Sequence, residues 1–192
     1  MTTPVKILAF AGSARRDSFN KKAVHWAAVG ATEAGAQVTV VDLRDFPMPL
    51  FDQEVEQENP PENAPRLRTI FTEHQGLLIS SPEYNSSIAP LLKNTIDWVS
   101  RPGPDQPPLV GFTGKVAALM SASPGALGGL RGLVHLRSIL GNIGVLLLPD
   151  QLAIPKAHEA FHPDGSLKDD KQQAGLRALG KKLAETLRKL SA

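Results

Sequence analysis

Short apolar runs alternate with segments of helical pattern along most of this 192-residue chain. The apolar runs predict five strands, at residues 5–11, 37–43, 76–80, 115–121 and 145–148, the last with a resumption at 152–154 as an alternative. The helical segments are residues 18–34, 65–74, 89–99, 129–142 and 169–190. Strands that are apolar almost throughout are typical of a parallel sheet covered on both faces. Alternation of five such strands with five helices therefore predicts a doubly wound α/β fold.

The number of strands favours one of the two common doubly wound topologies. Five strands fit the flavodoxin-like order 2-1-3-4-5, with helices on both faces, better than the six-stranded Rossmann order. In that order the first and third strands flank the point where the winding reverses, and ligands bind beyond the carboxyl ends of the strands. The loops after the first and third strands are therefore predicted to form the site. The sequence contains no repeat, low-complexity tract or linker, so we predict a single domain over residues 1–192.

Composition excludes several classes of chemistry. The chain has no cysteine, which removes disulfides, thiolate catalysis and iron–sulfur clusters, so redox chemistry would need an organic cofactor. The formal net charge is only +2, without a basic run, so no nucleic-acid partner is predicted. No apolar stretch approaches the ~20 residues that span a bilayer, and we expect a cytoplasmic protein without a membrane partner. The five histidines show no ligand spacing, so no metal site is predicted.

The loop after the first predicted strand carries donors suited to a phosphate. It contains Ser13, Arg15, Ser18 and Asn20 and opens a helix, whose N-terminus presents unpaired N–H groups and the positive end of a dipole. The loop matches neither GxGxxG nor GxxxxGK[ST], so a terminal monophosphate fits better than a dinucleotide or a nucleoside triphosphate. The alternative is a polar turn in which Ser18 or Asn20 only caps the helix.

The loop after the third predicted strand reads Ser-Pro-Glu-Tyr-Asn-Ser-Ser over residues 81–87. Pro82 fixes its backbone φ angle. Glu83, Tyr84 and Asn85 offer backbone N–H groups, an aromatic surface and an amide. A flavin ring needs donors toward its carbonyls and N5, and flat apolar cover. The alternative is a surface turn with an exposed tyrosine.

These two loops belong to a longer series of motifs. The series comprises Gly12-Ser13-x-Arg15-x-x-Ser18-x-Asn20, Ser81-Pro82-Glu83-Tyr84-Asn85, Leu92-Lys93-Asn94, Asp97-Trp98-Val99-Ser100-Arg101-Pro102, Ser123-Pro124-Gly125 and Gly128-Gly129-x-Arg131. Together they resemble the NADPH-dependent FMN reductases, a family that includes bacterial quinone and chromate reductases. The likeness extends over nearly the whole chain. The stretch from Pro102 to Gly114 departs from the family in its length, and we consider a role for it in acceptor access.

The resemblance implies a site and an assembly. It implies that Ser13, Arg15, Ser18 and Asn20 hold the FMN phosphate. It implies that the residues from Pro82 to Asn85 line the isoalloxazine, with Ser123 and Gly125 nearby. It further implies a homodimer or homotetramer with the flavin near a subunit interface.

The function predicted from these observations is an FMN-dependent oxidoreductase. Electrons would pass from NADPH or NADH through bound FMN to a quinone, a second flavin, an azo compound or chromate. No catalytic side chain is assigned, because the flavin carries the chemistry. Two alternatives stay open: a flavodoxin-like electron carrier without nicotinamide activity, and a reductase that releases reduced FMN to a partner monooxygenase. Trp98 is expected to pack in the core or an interface, and the spacing of Asp97 and Arg101 permits a surface ion pair.

Overall fold

A computed structural model describes residues 4–191. The strands are β1 (Lys6–Ala11), β2 (Gln37–Val41), β3 (Gly76–Ser80), β4 (Glu83–Tyr84), β5 (Ser87–Ile88), β6 (Val116–Ala122) and β7 (Leu146–Ile154). The α-helices are α1 (Phe19–Glu33), α2 (Gln53–Glu58), α3 (Asn63–Thr72), α4 (Pro90–Val99), α5 (Leu130–Asn142), α6 (Ala157–Ala160) and α7 (Asp170–Leu190).

The main sheet confirms the predicted topology. Its order is β2-β1-β3-β6-β7, and every neighbouring pair is parallel. With the five strands numbered in chain order this is 2-1-3-4-5, the flavodoxin-like order. β7 is continuous through residues 149–151, so the two predicted pieces form one strand. The sequence did not predict helices α2 and α6, or the separate hairpin of β4 and β5.

Two hydrophobic cores cover the two faces of the sheet. Helices α1 and α7 pack on one face, where their apolar side chains meet Ile7, Leu78 and Met120. Helices α3, α4 and α5 cover the other face, around Leu8, Ile79 and Leu119. Both faces of the central strands are therefore buried, which explains the nearly continuous apolar runs.

Asn94 and Trp98 of the motif on α4 hold a segment of chain. The Asn94 amide donates to the Pro49 carbonyl at 2.8 Å and accepts from Phe51 N–H at 2.7 Å. The Trp98 indole N–H donates to the same Pro49 carbonyl at 2.9 Å, and its side chain is buried as expected. The motif thus fastens the connection between β2 and α3.

The surface ion pair between Asp97 and Arg101 is a wrong prediction. Asp97 pairs with Lys93 at 2.7 Å, one turn toward the start of α4. Arg101 pairs instead with Glu56 of α2 at 2.7 Å. The helix ends at Val99, so the Arg101 side chain is free to reach the segment that the motif holds.

The loop from Pro102 to Gly114 connects the C-terminal end of α4 with the first residue of β6. Because the strands are parallel, this position is the amino edge of the sheet, opposite the carboxyl edge where the site was predicted. Leu109 N–H donates to Ser100 O at 2.9 Å, and Phe112 is fully buried. Within one protomer the loop therefore completes the core at the far end and does not border the predicted site.

Lys115 is a buried cation at this amino edge. Its side chain is 6% exposed, and the ammonium donates to His74 O. Burial lowers the pKa of Lys115 from 10.5 to about 8, because a charged group is poorly solvated in the interior.

The free energy of unfolding is expected to rise with pH between about 8 and 10.5 because of Lys115. In that window the unfolded chain holds a proton on this amine that the folded chain has lost, so raising the pH favours the folded state. The interval between the two pKa values corresponds to an increase of up to about 3 kcal/mol in the free energy of unfolding. Urea unfolding of the wild type and of Lys115→Met across this window measures the effect. Parallel pH curves for the two proteins would contradict it.

Within residues 4–191, no helix is both long and apolar enough to cross a membrane. The same residues contain no group of three or more His, Asp or Glu side chains arranged to hold a metal ion.

Candidate active site

Three loops meet at the carboxyl edge of the sheet, after β1, β3 and β6. The first two are joined by Gly12 N–H, which donates to Ser80 O at 2.9 Å. The second and third are joined by the Ser121 hydroxyl, which donates to Ser81 O at 2.6 Å. These bonds join the two loops predicted from strand order to each other and to the end of β6.

An open cleft of about 430 Å³ lies between the first loop and the segment that follows β3. Its lining residues are Gly12, Ser13, Ala14, Arg15, Tyr84, Ala89, Pro90 and Leu91. The cleft thus brings together Ser13, Arg15 and Tyr84 from the predicted set. The volume lies within the range of small-molecule sites, ~300–1,000 Å³.

The first loop has the donor set that a phosphate requires. Ser13 and Ser18 are buried, whereas Arg15 is exposed at the cleft. Ser18 is the N-cap residue of α1, but its side chain makes no capping hydrogen bond, and the first turn holds no acidic residue. The hydroxyl and the helix N-terminus therefore remain suited to an anion, and this donor set fits a monophosphate.

Asn20 lies beneath this loop and points into the protein. Its amide donates to Ala122 O at 2.8 Å, and its Oδ1 accepts from Ala122 N–H at 3.0 Å. The same Oδ1 accepts from the Ser80 hydroxyl at 2.8 Å. These three bonds occupy the side chain and fix the start of α1 against the ends of β3 and β6.

The predicted ring-binding segment forms the β4–β5 hairpin. Asn85 and Ser86 form its turn with φ angles of 51° and 66°, which are the positive values of a type I′ turn. Tyr84 is 52% exposed, and Pro82 is buried at the base. The hairpin therefore presents the Tyr84 ring and its own backbone at the edge of the cleft.

The Glu83 carboxylate anchors the hairpin to the start of α5. It accepts from Gly132 N–H at 2.9 Å and from the Arg131 guanidinium at 3.0 Å. Burial by itself would raise the pKa of Glu83, but the Gly132 N–H bond and the Arg131 pair outweigh it and hold the pKa below its usual value. Only the backbone of Glu83 is therefore left for a ligand.

Close packing against Ser121 positions the third loop, residues 123–129. Gly129 has a φ of +91°, and a Cβ atom there would lie 1.9 Å from the Ser121 Oγ atom. Ser123 N–H donates to Ile154 O at 3.1 Å, and Gly125 O accepts from Lys156 N–H at 3.2 Å. Ser123 and Gly125 thus stand on a loop tied to the end of β7, outside the lining of the cleft described above.

Sequence reasoning missed two groups of residues at the site. Ala89, Pro90 and Leu91 line the cleft at the start of α4, and the proline in the first turn was the available signal. Gly132 anchors Glu83 through a backbone N–H, a contact for which the sequence holds no signal.

A family model described as NADPH-dependent FMN reductase matches residues 5–159. The NAD(P)H-dependent FMN reductase of Pseudomonas aeruginosa is 37% identical over 172 residues, which are 89% of each chain. The quinone reductase of Escherichia coli K12 is 35% identical and covers 73% of this chain and 71% of its own. Among solved structures, a flavoenzyme NAD(P)H:(acceptor) oxidoreductase from Paracoccus denitrificans superposes with a TM-score of 0.77 at 26% identity. That match covers 96% of this chain and 98% of the other.

Proposed function

This chain belongs to the NADPH-dependent FMN reductase family, and we propose that Ser13, Arg15 and Ser18 bind the phosphate of its FMN. The protein is an oxidoreductase that passes electrons from NADPH or NADH through FMN to a small acceptor such as a quinone. The observation that carries the proposal is the cleft in which Ser13 and Arg15 of the first loop face Tyr84 of the hairpin. Bound FMN supplies the hydride and electron transfer.

The hairpin is proposed to hold the isoalloxazine. Backbone N–H groups from Glu83 to Asn85 would donate to the polar edge of the ring, and Tyr84 would cover it. Because the Glu83 carboxylate is bonded to α5, these donors are fixed before the cofactor binds, and such fixed donors stabilise negative charge that develops on a ligand. Ser123 and Gly125 are proposed to approach the ring from the third loop, and Asn20 to position the first loop from below.

The nicotinamide donor and the acceptor are proposed to occupy the cleft in turn. The cleft is open to solvent, so the donor and the acceptor can reach the same exposed face of the flavin ring one after the other. The role of the protein in both half-reactions is to orient each partner against the flavin, which removes the entropy cost of their encounter.

We also propose that the protein is a homodimer or homotetramer. Large apolar side chains are exposed near the hairpin and the start of α5: Tyr84 at 52%, Leu127 at 50%, Leu130 at 42% and Val134 at 58%. An apolar patch of this kind is typical of an interaction surface. Because the Tyr84 ring lies both in this patch and on the cleft, a second subunit there would border the flavin. Light scattering distinguishes a dimer from a tetramer.

Replacement of Arg15 by alanine tests the phosphate site. The change removes a charge-assisted hydrogen bond of about 1.5–3 kcal/mol, so the Kd for FMN is expected to rise about 10- to 150-fold. The Kd for riboflavin, which lacks the phosphate, should not change. Arg16→Ala is the matched control, because Arg16 does not line the cleft. Fluorescence titration gives all these values, and equal losses for FMN and riboflavin would remove Arg15 from the phosphate site.

Gel filtration of the FMN-loaded protein tests whether FMN is a resident cofactor or a released product. The three bonded loops form a preorganised site, so we expect FMN to elute with the protein before and after reduction by NADPH. Retention of oxidised FMN with loss of reduced FMN would instead identify a reductase that supplies reduced flavin to a partner.

A further inference from the structure

We infer that a second depression, along α1 beside the phosphate loop, binds an adenosine phosphate group. We call it the α1 groove. It measures about 290 Å³ and is lined by Arg16, Ser18, Lys21, Lys22, His25, Trp26, Pro163, Asp164 and Gly165. The inference rests on the proposed FMN site, to which the α1 groove is adjacent.

The α1 groove continues from the proposed phosphate site. Ser18, a proposed phosphate ligand, also lines the α1 groove. The two consecutive arginines divide between the two depressions, since Arg15 lines the flavin cleft and Arg16 the α1 groove. A second phosphate attached near the first, or the phosphate of another nucleotide, would therefore find a separate cation.

The cations of the α1 groove differ in their partners. Lys21 is neutralised by Asp42 at 2.5 Å. Within residues 4–191, Arg16 and Lys22 form no ion pair with a carboxylate, so their charges remain available. The Lys22 ammonium lies 6.0 and 5.8 Å from the ring centroids of Phe19 and Phe161, which hold it at the rim of the groove.

One carboxylate opposes an anion in the α1 groove. Asp164 accepts from both the backbone N–H and the hydroxyl of Ser166, at 2.9 and 2.6 Å. These bonds direct Asp164 into its own turn. The charge of Asp164 should nevertheless weaken anion binding, and this gives the test a variant of opposite sign.

An aromatic wall distinguishes the α1 groove from a simple phosphate site. The Trp26 indole N–H donates to Gly165 O at 2.9 Å, which fixes the ring. The His25 ring stands at 72° to it, with centroids 5.5 Å apart. Two cations, a fixed Trp26 ring and an exposed His25 ring in one groove match a ligand with both a phosphate and a base, because rings stack on bases and cations attract phosphates. The volume of about 290 Å³ is large enough for one nucleotide.

Two ligands could supply this group: FAD, taken in place of FMN, and NADPH. The test begins with 5′-AMP, titrated against the flavin-free protein by calorimetry. We expect Arg16→Ala and Lys22→Gln each to weaken 5′-AMP binding about tenfold, and Asp164→Asn to strengthen it. Lys171→Ala, at an exposed lysine on α7, is the control and should bind 5′-AMP as the wild type does.

Two further measurements distinguish the sources. If the group belongs to FAD, Arg16→Ala and Lys22→Gln raise the Kd for FAD about tenfold while the Kd for FMN stays unchanged. If it belongs to NADPH, the same variants loaded with FMN show a higher KM for NADPH at unchanged kcat. If the wild type does not bind 5′-AMP, or if all variants bind it equally well, the α1 groove is not an adenosine phosphate site. The proposed FMN site has a separate test, since it would be contradicted only if the wild type did not bind FMN.

Discussion

Replacement of Gly180 by alanine is expected to destabilise the fold by about 3 kcal/mol or more. A Cβ atom at this position would lie 1.8 Å from the Ala27 carbonyl oxygen, and one at Gly30 would lie 2.0 Å from the Arg177 carbonyl oxygen. These contacts are with backbone atoms of the opposite helix, which no side-chain rotation can relieve. The methyl group would therefore separate α1 from α7, and overpacking of this kind costs more than ordinary core substitutions.

The matched control is Gly141→Ala. Gly141 lies within α5, and a Cβ atom there meets nothing within 4 Å. This substitution should therefore show only the gain of helix propensity, about 0.5–1 kcal/mol of stabilisation. For a chain of this length, each kcal/mol lost from the free energy of unfolding lowers the melting temperature by ~2–4 °C. Calorimetry should therefore give a melting temperature ~6–12 °C below that of the wild type for Gly180→Ala. Equal shifts in the two variants would contradict the close contact between the helices.

Replacement of Asn20 by alanine is expected to cost about 3 kcal/mol or more and to weaken FMN binding. The change leaves three buried groups without their partner: Ala122 N–H, Ala122 O and the Ser80 hydroxyl. Each buried polar group left without a partner costs ~1–3 kcal/mol. The start of α1 would also lose its connection with β3 and β6, so the donors of the first loop would be displaced from the phosphate.

Ser80→Ala is the graded control for Asn20→Ala. It removes only one of the three bonds, and the Asn20 amide keeps both contacts with Ala122. We expect a loss of about 1 kcal/mol with FMN binding nearly unchanged. Urea unfolding and fluorescence titration of both variants provide the comparison. Equal losses of stability would show that the amide of Asn20 does not join the three elements.

The sequence predicted the sheet well because each strand is defined by local pattern. Runs such as Gly76–Ser80 are buried on both faces, so most consecutive residues are apolar and the strand can be recognised from the sequence. The single β7 strand was less clear because Pro149, Asp150 and Gln151 interrupt the apolar run, although the backbone continues through them. The β4–β5 hairpin was missed because its strands have two residues each and its turn, Asn85–Ser86, lacks glycine.

Strand order predicted where the loops lie, but not which hydrogen-bond partners each side chain has. Strand order placed the loops, and the donor-rich residues Ser13 and Arg15 do line the cleft. The roles of Glu83 and Asn20 depend on Gly132, Arg131, Ala122 and Ser80, which lie far away in sequence. No local pattern reports such partners, so two residues assigned to the cofactor prove to hold the loops together through their side chains.

The most direct test of the account is an anaerobic titration of the FMN-loaded protein with NADPH and then with a quinone, followed by absorbance. The account predicts that the flavin bands bleach with the nicotinamide and return with the quinone, at a ratio of one to one. Arg15→Ala should give the same colour changes only at higher FMN concentration. FMN that binds but does not bleach with NADPH or NADH would contradict the account and identify an electron carrier.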